Sequence, residues 1–335
     1  MKKSLIAVAL LGAFSGAAFA QSSVTIYGLV DAGISRDDNG GAAGSKLGLD
    51  SGLQNGSRIG FKGTEDLGGG LKANFVLESG LKVDTGTYDQ GGLAFGRQAY
   101  VGLSGDFGAV NLGRQKSVTY SIGEAVDPFS LGLAGNIDRL FKVGTRRDNA
   151  VTYSTTNLSG FVGSAQYAFG EVAGNNSANR TVGLSGVYSA GPVYAAVAYE
   201  KANDVNGNDA VGGKKVFVGG VYDFGVAKAH VAFESIKGST SVTNLAGTEQ
   251  RVWMIGTTVP FGPGSFLADY TRVTDQNVSN ANANQFALGY LYALSKRTNL
   301  YTSFSRTAND ANVAYNAGAN GATDKLFNVG VRHVF

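Results

Sequence analysis

Residues 324–335, the last of the chain, read DKLFNVGVRHVF. Phe327, Val329, Val331, His333 and Phe335 fall at every second position, with Asn328, Gly330, Arg332 and Val334 between them. A period of two marks a β-strand whose two faces meet different surroundings. One face is apolar and ends on an aromatic ring, and the other is small or polar. The first set is expected to look outward and the second inward, and His333, beside the aromatic terminus, reads as an interfacial residue.

The same alternation recurs along the chain. In LKANFVLES, Leu71, Ala73, Phe75 and Leu77 alternate with Lys72, Asn74, Val76 and Glu78. In AKAHVAFES, Ala229, Val231 and Phe233 alternate with Lys228, His230, Ala232 and Glu234. In QFALGYLYAL, Phe286, Leu288, Tyr290, Tyr292 and Leu294 alternate mainly with small residues. About 16 such segments can be counted, near 23–35, 56–65, 70–81, 94–104, 108–116, 148–156, 159–169, 179–189, 191–202, 214–224, 226–237, 249–260, 264–275, 283–294, 296–308 and 324–335. Their connections alternate between short turns, such as LGGG at 67–70 and DFGV at 223–226, and long polar stretches, such as 36–55, 170–180 and 201–215.

Short turns at one end and long loops at the other describe a transmembrane β-barrel. A soluble sandwich or β-helix also offers many short strands and Gly-rich turns. Strands of about ten residues, however, match a tilted crossing of a bilayer, and aromatic residues recur near the strand ends, as interface girdles require. In hydrocarbon every backbone N–H and C=O must be paired, so a sheet can span only by closing on itself. The face opposite the apolar one carries Lys, Asn, Glu and Gly, so the apolar face meets lipid and the polar face a wet lumen. The expected fold is all-β, a 16-stranded antiparallel transmembrane barrel, and 16 to 18 strands leave an aqueous channel.

The first 20 residues, MKKSLIAVALLGAFSGAAFA, run from a basic tip through an apolar stretch to Ala-Phe-Ala, the three-part pattern of a secretory signal peptide. Residues 21–335 are then the exported barrel domain. Without Lys2 and Lys3, the 28 basic residues become 26 against 25 acidic, a net charge of +1. So small a charge points to neither nucleic acid nor an acidic polymer. The chain has no Cys and 2 His, which leaves neither a disulfide framework nor a Cys metal site. No convergent Ser, His and Asp or Asn pattern stands in the loops, so no catalytic residue, metal site, cofactor or enzyme activity is expected. His230, on the inward parity, reads as a satisfied lumen histidine.

The stretches SSVTIYGLVDAGIS, GSRIGFKGTEDLGGGLKANFVLESG, GRQAYVGLSGDFGAVNLGRQ, RRDNAVTYSTTNLSGF and NVGVRHVF, in that order, resemble the trimeric general diffusion porins of Gram-negative outer membranes, in particular their neisserial-type, beta-proteobacterial branch. The resemblance covers the whole chain. It implies passive passage of small hydrophilic solutes and ions, a homotrimer and a setting of outer-membrane lipid and lipopolysaccharide. It also implies a terminal aromatic residue, here Phe335, read by the barrel-assembly machinery, and a third loop folded into the pore. Trimer contacts would involve the outward faces of the first and last strands.

The alternation fails across 117–147, the longest interruption of the chain. A loop of about 30 residues normally marks function or disorder, and Ile122, Phe129, Leu131, Leu133, Ile137, Leu140 and Phe141 argue for a segment tucked against the wall. Where enterobacterial relatives carry Pro-Glu-Phe-Gly-Gly, this loop reads Asp127-Pro128-Phe129-Ser130.

Arg58 shares a face with Gly60 and Lys62, opposite Ile59 and Phe61, which sets it in the lumen on alternation alone. By resemblance, Arg97 matches the next arginine of the pore wall, and Arg146 or Arg147 at the loop's return a further one. Arg114 has the parity of Leu112 and stands near a strand end. The acidic partners on the loop would be Glu124, Asp127 and Asp138. Where the first strand of the family often carries Lys, this chain has Leu29. A basic wall facing an acidic loop would set a transverse field across the narrow section. Two other readings remain open, a barrel serving surface recognition through its long loops and a substrate-specific channel.

Overall fold

The computed structural model describes residues 23–208, 213–238 and 249–335; the expected signal peptide lies outside them, as does part of the long loop expected at 201–215. The strands are β1 (Ser23–Asp38), β2 (Lys46–Ser51), β3 (Arg58–Gly68), β4 (Leu71–Lys82), β5 (Thr87–Tyr88), β6 (Gln98–Gly105), β7 (Gly108–Lys116), β8 (Arg146–Ser154) and β9 (Phe161–Ala168). They continue as β10 (Thr181–Ala190), β11 (Val193–Ala202), β12 (Lys214–Asp223), β13 (Lys228–Lys237), β14 (Glu249–Phe261), β15 (Gly264–Asp275), β16 (Ala283–Ala293), β17 (Thr298–Asn309) and β18 (Thr323–Val334). Each pairs antiparallel with its neighbours, and β1 pairs with β18, so the sheet closes.

Of these 18 strands, β2 and β5 are short additions within long loops, which leaves the 16 expected for the wall. The stretch 36–55, expected as a polar loop, contains β2. It forms because β1 runs on to Asp38, and the edge of β1 above Leu29, where β3 stops pairing, is filled by β2 from Ala32↔Ser51 to Asp37↔Lys46. An open edge there would leave unpaired backbone groups.

The two faces sort as the alternation implies. Val24, Ile26, Val30 and Ile34 of β1 and Phe327, Val329, Val331 and Phe335 at the end of the chain are all exposed on the outside. On the inner parity Asp31, Ser35, Asp324 and Asn328 are buried. Aromatic rings gather at both ends of the wall. At the short-turn end Tyr222 packs on Phe224 (centroids 4.6 Å apart), and Phe266 on Phe261 (5.4 Å) and Tyr290 (4.6 Å). Toward the long-loop end Trp253 packs on Tyr270 (5.4 Å) and Tyr167 on Phe169 (4.8 Å). Two girdles flanking an apolar band are the outer surface of a membrane barrel.

The closing seam depends on two close approaches. Outside, Phe335 and Gly28 exchange both backbone hydrogen bonds, Phe335 N donating to Gly28 O (3.0 Å) and Gly28 N to Phe335 O (3.3 Å). The ring of Phe335 lies over Gly28, where a Cβ would come within 2.5 Å of it. Inside, Tyr301 reaches from β17 across β18 to β1, over Gly330 and Gly33, either of which would strike its hydroxyl with a Cβ. That hydroxyl donates to Asp31 Oδ1 (2.5 Å), while Asp31 Oδ2 accepts from the backbone of Gln54 (2.8 Å) and Asn55 (2.6 Å).

Tyr301→Phe keeps the ring and removes the bond, leaving Asp31 Oδ1 short of a partner, at a cost of about 1–3 kcal/mol. A lower temperature for conversion of the compact, heat-modifiable form on SDS gels is the expected result, and an unchanged temperature would show that the bond does not hold the seam.

Candidate functional site

The segment 117–147 turns inward because its own sequence closes it against the wall. Ser117 Oγ accepts from Tyr120 N (3.1 Å) and starts helix α1 (Val118–Val126). Val118, Ile122 and Val126 form one stripe of that helix. The stripe meets Ala196, Ala198, Phe217 and Ala232 on the inner wall. Glycines make room for it: a Cβ on Gly183 would lie 2.9 Å from Val118 and one on Gly219 2.7 Å from Val126. After the helix, Ile137, Leu140, Phe141 and Val143 complete the same buried cluster, with Phe141 5.7 Å from Phe217. Phe129 and Leu133 form a second cluster with Leu267, Ala287 and Tyr301. Each such side chain contributes about 1.5–3 kcal/mol on burial, so an open barrel holds its apolar core between this loop and one arc of its wall.

Polar contacts then fix the path. His230 Nδ1 bonds Val126 O (2.8 Å), Ala134 N donates to Ser303 Oγ (3.0 Å), Lys142 N to Glu234 Oε2 (2.7 Å), and Lys215 Nζ to Lys142 O (2.6 Å). Arg139 pairs with Asp324 and donates to Gln285 Oε1 (3.2 Å). All these wall partners belong to β12–β18, while α1 also touches β9, β10 and β11.

The free side of α1 carries Tyr120, Ser121, Glu124 and Ala125, half-buried or exposed. Opposite it stand three of the expected arginines. Arg97 is buried in an ion pair with Glu78 (2.7 Å), which also accepts from Tyr27 (3.0 Å). Arg58 Nε donates to Gly56 O (3.0 Å) and Arg146 Nε to Arg97 O (2.9 Å). Arg146 stacks on Tyr120 at 5.2 Å, and Lys116 stacks on the same ring at 5.4 Å while pairing with Glu124 (2.5 Å). Arg58, Arg97, Arg146 and Lys116 thus face Glu78 and Glu124, four cations against two carboxylates. On the short-turn side an open cavity of about 790 Å³ follows, lined among others by Gln54, Glu124, Ser130, Arg297 and Arg332.

The other expected residues lie elsewhere. Arg147 turns toward Glu200 (3.3 Å), which also pairs with Lys215 (3.0 Å), behind the loop's return. Arg114 pairs in register with Ala99 and binds Gly96 O and Asp148, on the parity of exposed Leu112 and Val101, so it stands on the outer wall. The register shift between β7 and β8 lies on β8, where Gly113 pairs with Ala150 and Gln115 with Arg147; along β7 the alternation runs on, with Gln115 inward and Arg114 outward.

Of the three acids, Glu124 is the one on the free side of α1. Asp127 is buried and accepts from the backbone of Phe129 (2.9 Å), Leu131 (2.8 Å) and Ile137 (3.1 Å), so it staples the loop to itself. That staple holds Ser130, Leu131 and Leu133 at φ of 51°, 56° and 60°, the left-handed region costly for such residues. Asp138 accepts from Val143 N (3.2 Å) and faces Lys142 and Lys215. Burial pushes the Asp127 carboxyl up to about 7, outweighing its three N–H bonds, and the Asp138 carboxyl up to about 6, against the pull of Lys142 and Lys215.

Glu78, Lys116, Tyr120 and Arg139 were not singled out by sequence. The inward parity of Glu78 is legible in LKANFVLES, but its pairing with Arg97 is not. Among the described residues no His, Cys, Asp and Glu cluster could hold a metal ion.

Phe141→Ala deletes a ring at the centre of the larger cluster at a cost of about 3–5 kcal/mol, and faster hydrogen exchange confined to residues 118–143 is expected; exchange as slow as in the parent would show that the cluster does not hold the loop. Both loop acids bind protons more tightly when docked than at the ordinary value of 3.8. Their contribution to docking is therefore full below about pH 4 and lost as pH rises through 6 to 7. Exchange in the loop should slow as pH falls from 8 to 5, after correction for intrinsic rates, and Asp127→Asn should flatten that dependence.

A family profile described as Gram-negative porin matches residues 7–312. An outer membrane porin protein of Bordetella pertussis is 34% identical, with all of both chains covered. The major outer membrane protein P.IB of Neisseria lactamica is 30% identical, again with all of both chains covered. The solved structure of an anion-selective porin from Comamonas acidovorans superposes with a TM-score of 0.81 at 30% identity, covering 94% of this chain and 100% of that one. The closed barrel and its similarity along the whole length agree: this chain belongs to the Gram-negative porins, an outer-membrane channel protein and not an enzyme.

Proposed function

We propose that the chain is a general diffusion porin, working as a homotrimer, whose constriction is charge-segregated and passes small hydrophilic solutes and ions with a preference for anions. The observation that carries this reading is the group formed by Arg58, Arg97, Arg146 and Lys116 across from Glu124 on the free side of α1. Two of the three loop acids offer little to the passage. Asp127 spends its oxygens on loop N–H groups, and Asp138 faces the lysines behind the loop.

Charges lining a narrow section between low-dielectric walls act on a passing ion far more strongly than in bulk water. An anion is drawn to Arg58 and Arg146, which of this group's three arginines are the two that no carboxylate binds directly. A cation meets Glu124 already occupied by Lys116. The similarity to a porin whose title calls it anion-selective supports the same sign. Entry and exit need no energy input, because the arginines attract without enclosing the ion.

The test is the reversal potential of single channels in a planar bilayer under a salt gradient. Conductance in steps of three with an anion-favouring reversal potential is expected. Arg58→Glu with Arg146→Glu should carry the reversal potential to the cation side, whereas Arg114→Glu, on the outer wall, should leave it unchanged. A parent channel that favours cations would overturn the charge assignment and keep the porin. Saturable flux with current block by one solute would favour a substrate-specific channel.

A further inference from the structure

Arg97, Arg114 and Arg147 are each held by a carboxylate, that of Glu78, Asp148 and Glu200 in turn. Arg146 is held differently. Its Nε donates to Arg97 O (2.9 Å), its guanidinium stacks on the ring of Tyr120 at 5.2 Å, and its Nη2 is buried without a hydrogen-bond partner among the described residues. The same ring carries Lys116 at 5.4 Å. Lys116 and Arg146 are direct cross-strand partners where β7 and β8 give way to the loop. Like charges so placed repel each other. Two cations that would part are instead gathered on one aromatic ring.

That ring stands on a fixed base. Tyr120 lies in the first turn of α1, its N–H is taken by Ser117 Oγ (3.1 Å), and its side chain packs against the larger buried cluster. Glu124, one helical turn further along the same face, takes Lys116 (2.5 Å). Glu124 thereby neutralises the lysine, and the arginine keeps its charge.

A carboxylate and an aromatic ring fix a cation by different means. The carboxylate cancels the charge that it binds. The ring attracts through its quadrupole and carries no net charge, so the cation stays in place uncompensated. An N–H group turned to a ring face finds a weak acceptor there, which accounts for the buried Nη2 of Arg146. A charge pinned beside a narrow passage acts on each passing ion.

We propose that Tyr120 is a specificity-determining residue of the constriction, a positioning residue whose ring face holds Arg146 and Lys116 beside the passage and leaves Arg146 unneutralised. The inference rests on the anion-preferring reading given above. Without the ring the two like-charged neighbours separate, Lys116 settles on Glu124, and Arg146 swings off the passage. Anion preference then falls although no formal charge has changed.

The test replaces Tyr120 in the full mature protein by phenylalanine and then by mono-, di- and trifluorophenylalanine, which weaken the negative ring face stepwise at nearly constant shape. The readout is the reversal potential of single channels under a salt gradient, with hydrogen exchange over residues 118–143 measured on each variant. Tyr120→Phe should keep the anion preference. The anion-to-cation permeability ratio should then fall step by step, by about threefold at the trifluoro ring, with Tyr120→Leu at the end of the series and exchange in the loop unchanged. In an Arg146→Gln, Lys116→Gln background the series should be flat. A flat series in an anion-favouring parent would overturn the role of Tyr120 alone, whereas a cation-favouring parent would overturn the reading of the constriction. Exchange that quickens in step with the loss of preference would also overturn the role, by assigning the ring to packing of the loop. A graded series in the doubly substituted background would do the same, by showing that the ring acts through other groups.

Discussion

Closure is the constraint on which everything else rests. In hydrocarbon an unpaired backbone group costs several kcal/mol, so the first and last strands must meet in register along their length. They do so from Leu29↔Val334 to Asp38↔Lys325, with Gly28 and Phe335 completing the ladder at the chain's very end. Glycines at 28, 33 and 330 are the local means, since each yields its side-chain volume to a ring that spans the seam. Through Asp31 the seam also holds Gln54 and Asn55 of the first loop, and Leu53 O in turn accepts from Leu133 N of the inward segment 117–147.

Closure leaves an interior too wide for side chains to fill. The inward segment 117–147 occupies one side of it, and what would be a core in a soluble barrel becomes an interface between that loop and the β9–β18 arc. Small wall residues such as Gly183, Ala196, Ala198 and Gly219 accept the helix stripe. The other side stays wet and carries the arginines. In the proposed reading, one asymmetry of packing produces both the narrowing and the separation of charge.

The outer surface shows a second asymmetry, with Lys214 opposite Lys237, Arg272 opposite Trp253 and Arg306 opposite Phe286 on its β12–β17 arc. Inside and outside use the same residue types for different ends: Lys215 is buried beneath the loop as part of an ion-pair network, while its neighbour Lys214 faces out. Successive side chains on a strand point to opposite faces, so adjacent lysines meet separate environments.

Period-two patterning is a local property, and it determined the strand count and the outward and inward faces before any contact was known, while the inward course of the loop came from the resemblance and from the loop's apolar residues. Arg58 was assignable to the lumen on that ground alone, as were the faces of the final strand. Partnership is not local. Arg114 carries the outward parity of Leu112 and the structure keeps it there, but the extra residue of β8 between Arg147 and Ala150 shifts parity in a way alternation does not record, and Arg147 belongs with Glu200, 53 residues away. Asp127 reads as an acid on a pore loop, yet its oxygens are consumed by backbone N–H groups of its own turn. The sequence by itself determined which side of the wall each side chain meets, because that depends on its position in a strand. The tertiary structure alone decided which charges face one another across the passage, because that depends on where a closed wall and a folded loop bring distant residues together.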